Sequence, residues 1–171
     1  NATKAQSLRN KEGRKMFLKD VVKHLNVISF HGDIHTSIGG IACDSRNITA
    51  NNITESIESG LSLIYSSHNN TIEENIIDNC KYGVSINGNM NSCNNNTIKG
   101  NILTNNGNSS IALIQDCENN RIIDNTIMNN TRHGIDLSLI GPDKSPIISR
   151  NIIKNNSLSG IRVGTSYPLI A

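Results

Sequence analysis

Two histidines flank an aspartate in FHGDIHTSIGGIACD, residues 30–44, as His31, Asp33 and His35, and Asp44 closes the stretch. Alternate residues of an extended segment share one side, so the three point together. Such a trio can hold a cation or divide the work of base and acid. The stretch also inserts several extra residues into an otherwise regular pattern, and a long loop at the edge of a rigid scaffold is a usual place for function. His31, Asp33, His35 and Asp44 are therefore the candidate catalytic residues. Short loops rich in His and Asp also occur without any role, so the elements that would position these groups decide their meaning.

Those elements repeat. Asparagines at 51, 75, 101, 125 and 151 recur roughly every 24 to 26 residues, each with an isoleucine three before and an isoleucine, or Leu103, two after, and self-similarity at this period signals a solenoid. A glycine or serine and a second apolar alternation follow each one, as in Gly134, Ile135 and Leu137. Asn-Asn, Asn-Gly and Asn-Ser pairs favour turns and tolerate left-handed backbone, so each copy reads as two or three short strands separated by tight bends. Helices have no room there. In GVSINGN, residues 83–89, Val84 and Ile86 point one way and Ser85 and Asn87 the other. Copies stacked about 4.8 Å apart build apolar columns inside and ladders of the remaining residues outside. The expected fold is all-β, a parallel solenoid of about five to six coils over residues 26–171.

Composition agrees. The chain has 171 residues, 36% of them hydrophobic, no Trp, and only Phe17, Phe30, Tyr65, Tyr82 and Tyr167 as aromatics. A compact globule normally uses more rings, whereas thin coils fill with Ile, Leu and Val. The net charge of +2 comes with no long basic run after Lys23, which argues against a nucleic-acid groove. No apolar run approaches the ~20 residues of a membrane span, and no signal peptide is visible. The opening Asn1-Ala2 fits an expression scar, and the chain fits a piece of something longer.

Residues 1–25 depart from the repeat. In RKMFLKDVVKHL, residues 14–25, Leu18, Val21, Val22 and Leu25 take helical spacing with Lys15, Lys19 and Lys23 on another face. An open solenoid end needs a cover, and an amphipathic helix here would cap it. The competing reading is an irregular first coil, since Asn26 and Ile28 lie about one period before Asn51 and Ile53.

The asparagines are expected to be structural. Asn51, Asn75, Asn101, Asn125 and Asn151 form one column, and Asn79, Asn105, Asn129 and Asn155 a second that Glu55 interrupts. At a bend an amide can bond both the backbone freed by the turn and the amide one coil away. Cys93 and Cys117 precede their Asn-Asn pairs by the same offset and should be column neighbours, which leaves a cross-coil disulfide open. Cys43 fills an inner apolar slot and Cys80 lies at a bend. With no Cys-x-x-Cys pair and no zinc spacing, no structural metal is expected.

Inward residues are packed, so chemistry must come from outward ones. On the strand after the glycine the first outward column reads Ser62, Ser85, Ala112, Asp136 and Arg162, and the next reads Asp44, Ile64, Asn87, Ile114 and Ser138. Just before the glycine stand Ser59, Tyr82, Ser109, His133 and Ser159. Asp136 beside Arg162 reads first as a surface ion pair, worth little. Tyr82, Arg132, His133, Asp136 and Arg162 are the residues of this face suited to contact a substrate. Asp44 and Asp136 lie about four coils apart, roughly 20 Å, too far to act on one bond. Catalysis would therefore stay near the insertion.

The string Gly, apolar, any, apolar, a polar turn, Asn-Asn, any, Ile, any, any, Asn, any, Ile or Leu, any, Asn runs through GVSINGN…NNTIKGNILTNN. Without the Asn-Asn pair it recurs in GIDLSLI…PIISRNIIKNN. It resembles the right-handed parallel β-helix repeat of the pectin-lyase-like superfamily and of NosD-type periplasmic proteins, over about residues 41 to 165. A leucine-rich repeat has a similar period but wants leucine columns, and here isoleucine dominates.

The resemblance implies carbohydrate-active enzymes, commonly lyases, hydrolases or epimerases, and phage tail proteins that bind or cleave surface glycans. It thereby implies an extracellular, cell-surface or virion location and an acidic polysaccharide as partner. No family catalytic motif matches residue by residue, no cofactor is indicated, and the oligomeric state stays open. A glycosidase needs two flanking carboxylates; a lyase or epimerase needs a base, a proton donor and a group that neutralises a uronate. The scarcity of tyrosines within the repeats, Tyr65 and Tyr82, counts against a sugar-stacking groove. Two readings follow: a β-helix that binds or modifies an acidic polysaccharide, and a non-catalytic structural or assembly module of a larger surface or phage protein.

Overall fold

The computed structural model describes residues 47–89, 91–141, 144–164 and 168–171. The expected capping helix over residues 1–25, the coil at Asn26 and Ile28, and the insertion with His31, Asp33, His35, Cys43 and Asp44 lie outside the described residues.

Each coil is built from three short strands. The first holds β1 (Asn47–Thr49), β2 (Asn52–Thr54) and β3 (Ser59–Ile64), and the second holds β4 (Thr71–Glu73), β5 (Ile76–Asp78) and β6 (Tyr82–Asn87). Next come β7 (Thr97–Lys99), β8 (Ile102–Thr104) and β9 (Ile111–Ile114), then β10 (Arg121–Ile123), β11 (Thr126–Met128) and β12 (Ile135–Leu139). β13 (Ile147–Ser149), β14 (Ile152–Lys154) and β15 (Ile161–Val163) complete the series, and β16 (Leu169–Ile170) follows. Like strands stack in three sheets: sheet A in the order β1-β4-β7-β10-β13-β16, sheet B as β2-β5-β8-β11-β14, and sheet C as β3-β6-β9-β12-β15. Every pairing is parallel, for example β4 with β7 and β11 with β14. The chain is a parallel β-solenoid of about five coils.

Three-residue strands can turn only their middle residue inward, and the sequence supplies a branched aliphatic there. Ile72 pairs with Ile98, and Ile98 with Ile122, in sheet A; Ile77, Leu103 and Ile127 do the same in sheet B. All six are 0% exposed. β-Branched chains suit these stacks because they pack well on a pleated surface. Close stacking also dictates glycine near the start of β6, since a Cβ at Gly83 would come within 2.4 Å of the Ser110 carbonyl oxygen.

The corners obey a two-residue rule. At the asparagine corners a residue with positive φ turns the chain, and the next residue, buried in the inner coils, carries the ladder. At the first corner Ala50, Glu74, Gly100, Asp124 and Arg150 take φ of 54 to 64°, and Asn51, Asn75, Asn101, Asn125 and Asn151 follow them. Asn101 Oδ1 accepts from Asn75 N at 2.9 Å and from Asn75 Nδ2 at 3.0 Å. Asn75 Nδ2 donates in turn to the carbonyls of Ile48 and Glu73, at 2.8 and 3.0 Å. Each amide thus satisfies the N–H that its neighbouring corner turns away from the strands.

The second column differs from expectation. Asn79, Asn105, Asn129 and Asn155, with Glu55, are exposed left-handed residues. The buried amides stand one position later: Asn130 Oδ1 accepts from Asn106 N at 2.9 Å and Asn106 Nδ2 at 3.1 Å. Ser56 and Cys80 hold the same slot in the earlier coils, with Cys80 N donating to Asn106 Oδ1 at 3.1 Å. A third ladder runs through Asn70, Asn96 and Asn120 after the left-handed Asn69, Asn95 and Asn119. In the pairs Asn69-Asn70, Asn95-Asn96, Asn105-Asn106, Asn119-Asn120 and Asn129-Asn130 the first member turns and the second bonds, because the left-handed residue stays solvated at the corner. Asn156, the last rung of the second ladder, keeps a buried Nδ2 with no acceptor among the described residues.

Cys93 and Cys117 are column neighbours, as expected: Cys93 N donates to Asp116 O and Asn95 N to Glu118 O, which sets them level. The cross-coil disulfide between them is nevertheless not formed. Each thiol bonds a carbonyl instead, Cys93 that of Asn87 and Cys117 that of Ile114. Burial pushes the Cys117 thiol up to about 12, so it is a packing group without thiolate reactivity.

Candidate functional site

Sheet C presents the outward columns read from the sequence. Ser62 pairs with Ser85, Ser85 with Ala112, Ala112 with Asp136, and Asp136 with Arg162. The adjacent column departs from expectation at its end, since a bulge between Asp136 and Leu139 sets Leu139, not Ser138, opposite Ile114. Asp136 holds that bulge by accepting from Ser138 N through Oδ1 at 2.9 Å. Its Oδ2 accepts from Ser109 Oγ at 3.4 Å and lies 3.8 Å from an Arg162 guanidinium nitrogen.

His133 stands beside Asp136 at the entry to β12. The bonds from Ser110 N to His133 O and from Gly134 N to Ser159 O place it level with Ser109 on one side and Ser159 on the other. Its ring is buried, and Nδ1 sits 2.6 Å from Ser159 Oγ. Arg132 is exposed and reaches Asn108 Oδ1 at 3.3 Å.

Burial pushes His133 below the ordinary imidazole value; the Asp136 charge opposes this, and the Arg162 and Arg132 charges reinforce it. Burial pushes Asp136 up, but bonds from the Ser138 side chain and backbone, with the Arg162 and His133 charges, outweigh it and leave the carboxyl below its usual range. At neutral pH the site therefore holds a neutral imidazole beside a carboxylate and two guanidiniums. A histidine with a lowered folded pKa contributes stability above its ordinary value of 6.5 and loses it as pH falls through that value toward the lowered one. The melting temperature should accordingly fall as pH drops below about 6.5, and His133→Gln should flatten that slope. An unchanged slope in the variant, followed by circular dichroism, would assign the dependence to other groups.

Of the residues singled out in the sequence, His133, Asp136 and Arg162 come together over two coils, with Arg132 at their rim. Tyr82 shares the His133 column but lies two coils away, roughly 10 Å, and does not join them. His31, Asp33, His35 and Asp44 lie outside the described residues. Ser109 and Ser159 are the additions, and their signal was membership of the column that contains His133. Among the described residues Asp136 is the one carboxylate on the sheet C strands, so the paired acids of a glycosidase are not present there. Among the described residues no three His, Cys, Asp or Glu side chains converge as a metal set.

The family model described as right handed beta helix region matches residues 34–170. No curated protein and no solved structure matches the chain.

Proposed function

Because the chain belongs to the right-handed β-helix family over residues 34–170, and because such a fold leaves activity to the site it carries, we propose that it is an extracellular or surface-displayed protein that binds an acidic polysaccharide along sheet C. The observation that carries this reading is the polar cluster of Arg132, His133, Asp136, Ser159 and Arg162 on sheet C, in line with a column of small, uncharged Ser62, Ser85 and Ala112 and beside the column of Ile64, Asn87, Ile114 and Leu139. Arg162 is 3.8 Å from its carboxylate partner and its side chain is 47% exposed, so its guanidinium keeps donors for a uronate carboxylate. The small side chains leave room for sugar rings. Tyr82 would meet a sugar further along the chain.

Glycan-array binding tests the reading. Polyuronates should bind, more weakly as salt rises, and neutral glycans should not; Arg162→Ala should weaken binding about tenfold or more, since a charged hydrogen bond contributes about 1.5–3 kcal/mol. A folded protein that binds no polyuronate, or binds neutral glycans equally, contradicts it.

A second reading, a non-catalytic assembly module, draws on sheet B. There Ile76 pairs with Ile102, and Ile152 lies beyond Thr126 in the same outward column. The three isoleucines are 44 to 57% exposed, an apolar stripe of the kind that protein contacts cover.

A further inference from the structure

We propose that the chain pairs with a second copy of itself across sheet B, antiparallel, about a two-fold axis that runs along the strands. The inference rests on the assembly reading above and is independent of glycan binding on sheet C. The outward residues of sheet B form two columns. Asn52, Ile76, Ile102, Thr126 and Ile152 make the first, and Thr54, Asp78, Thr104, Met128 and Lys154 the second. Ile76 and Ile102 lie on strands paired on both sides and are still 45% and 44% exposed, so their exposure belongs to the face and not to an end. The side to which Ile152 and Lys154 point is set by the pairing of β14 with β11.

Charge says what covers the face. In the second column Asp78 stands in the second coil and Lys154 in the fifth. Asp78 lies between Thr54 and Thr104, and Lys154 beside Met128, so neither meets an opposite charge from its column neighbours there. Asp78 accepts from Thr104 Oγ1 and Asn105 Nδ2 on Oδ1 alone, at 2.5 and 2.7 Å, which leaves Oδ2 for a cation. The corner beside the first column repeats the pattern, with exposed Glu74 in the second coil and exposed Arg150 in the fifth. Arg150 gives Nε and one terminal nitrogen to Asp124, at 2.7 and 2.8 Å, and keeps its other terminal nitrogen for a second carboxylate.

A two-fold axis along the strands keeps each column facing itself and reverses the order of the coils. Centred between β8 and β11, it sets Ile76 against Ile152 of the second copy, Asp78 against Lys154, Glu74 against Arg150, and Ile102 against Thr126. Every contact then occurs twice, as an isologous interface requires. An axis along the coil direction would instead set the first column on the second, with Ile76 against Asp78, and would bury a carboxylate without a cation. Charge therefore selects the antiparallel arrangement. The patch is three residues wide and three coil steps long, roughly 10 Å by 14 Å. That is the low end of specific interfaces, so the dimer is a weak one that dissociates in the micromolar to millimolar range.

Sedimentation equilibrium of the full chain from about 10 μM to about 1 mM should show a monomer–dimer equilibrium that weakens as salt rises. Asp78→Lys and Lys154→Asp should each weaken dimerisation about tenfold or more, because each sets two like-charged pairs face to face. The variant that combines them should restore the parental affinity. Asp78→Asn, which keeps the side-chain shape, serves if Asp78→Lys does not fold, and should relieve the Lys154→Asp defect. Polyuronate binding, measured on the same proteins, should match the parent's, so that failure of the dimer and failure of glycan binding are read separately. A chain that stays monomeric at the top of the concentration range, or that grows end to end into longer oligomers, overturns the proposal. So does a dimer that the single variants leave intact or that the compensating variant does not restore.

Discussion

Ile127→Asp should abolish the cooperative thermal transition. Ile127 is 0% exposed and pairs with Leu103 on one side and Ile153 on the other. An aspartate there has no cationic partner among the Ile and Leu side chains of the column, and the effective penalty for an unpaired buried charge is several kcal/mol. Loss of the isoleucine adds about 1.5–3 kcal/mol of apolar burial, against a total stability of about 5–15 kcal/mol for an ordinary domain. A solenoid transmits this damage, because each coil is held only by its neighbours and Ile127 lies in an interior coil. Thr126→Asp, one residue away but facing outward, should melt within a few degrees of the parent. If Ile127→Asp also melts there, the inward column has been misassigned.

The columns were legible because burial on a thin coil is nearly binary. A residue in the middle of a three-residue strand is inside or it is not, and Ile72, Ile98 and Ile122 declare themselves by chemistry alone. Period also gave the register, so Asp136 falls beside Arg162 as the spacing required. The corners were read one residue out in the second column. Asn129 and Asn130 are identical in sequence terms, and only backbone geometry shows that the first takes φ of 59° in solvent while the second is buried. Ser138 was misplaced because the repeat length already varies between 24 and 26 residues, so the residue that a bulge adds leaves no mark of its own, and its cause, a bond from Ser138 N to Asp136, is a side-chain event. The Ser159 to His133 contact was illegible for a related reason: sharing a column brings two residues to within one coil, but rotamers decide whether they touch.

What holds the solenoid is the pairing of a left-handed turn residue with a buried asparagine, and Asn125 and Asn129 separate the two roles within one coil. Asn125 is 1% exposed. Its Oδ1 accepts from Asn101 N and Nδ2, at 3.0 and 2.9 Å. Its Nδ2 donates to the carbonyls of Ile98 and Ile123 and to Asn151 Oδ1. Alanine leaves the Asn101 donors without an acceptor in a closed interior, at about 1–3 kcal/mol for each unsatisfied group. A loss of about 3 kcal/mol lowers the melting temperature by roughly 10 °C in a domain of this size. Asn129 is exposed, so alanine there forfeits only the tolerance for αL, about 1 kcal/mol. Melting of Asn125→Ala and Asn129→Ala beside the parent, by circular dichroism at neutral pH, measures both directly. A much larger loss for Asn125→Ala than for Asn129→Ala is the predicted result; equal losses, or a larger one for Asn129→Ala, would contradict the ladder as the element that holds the corners.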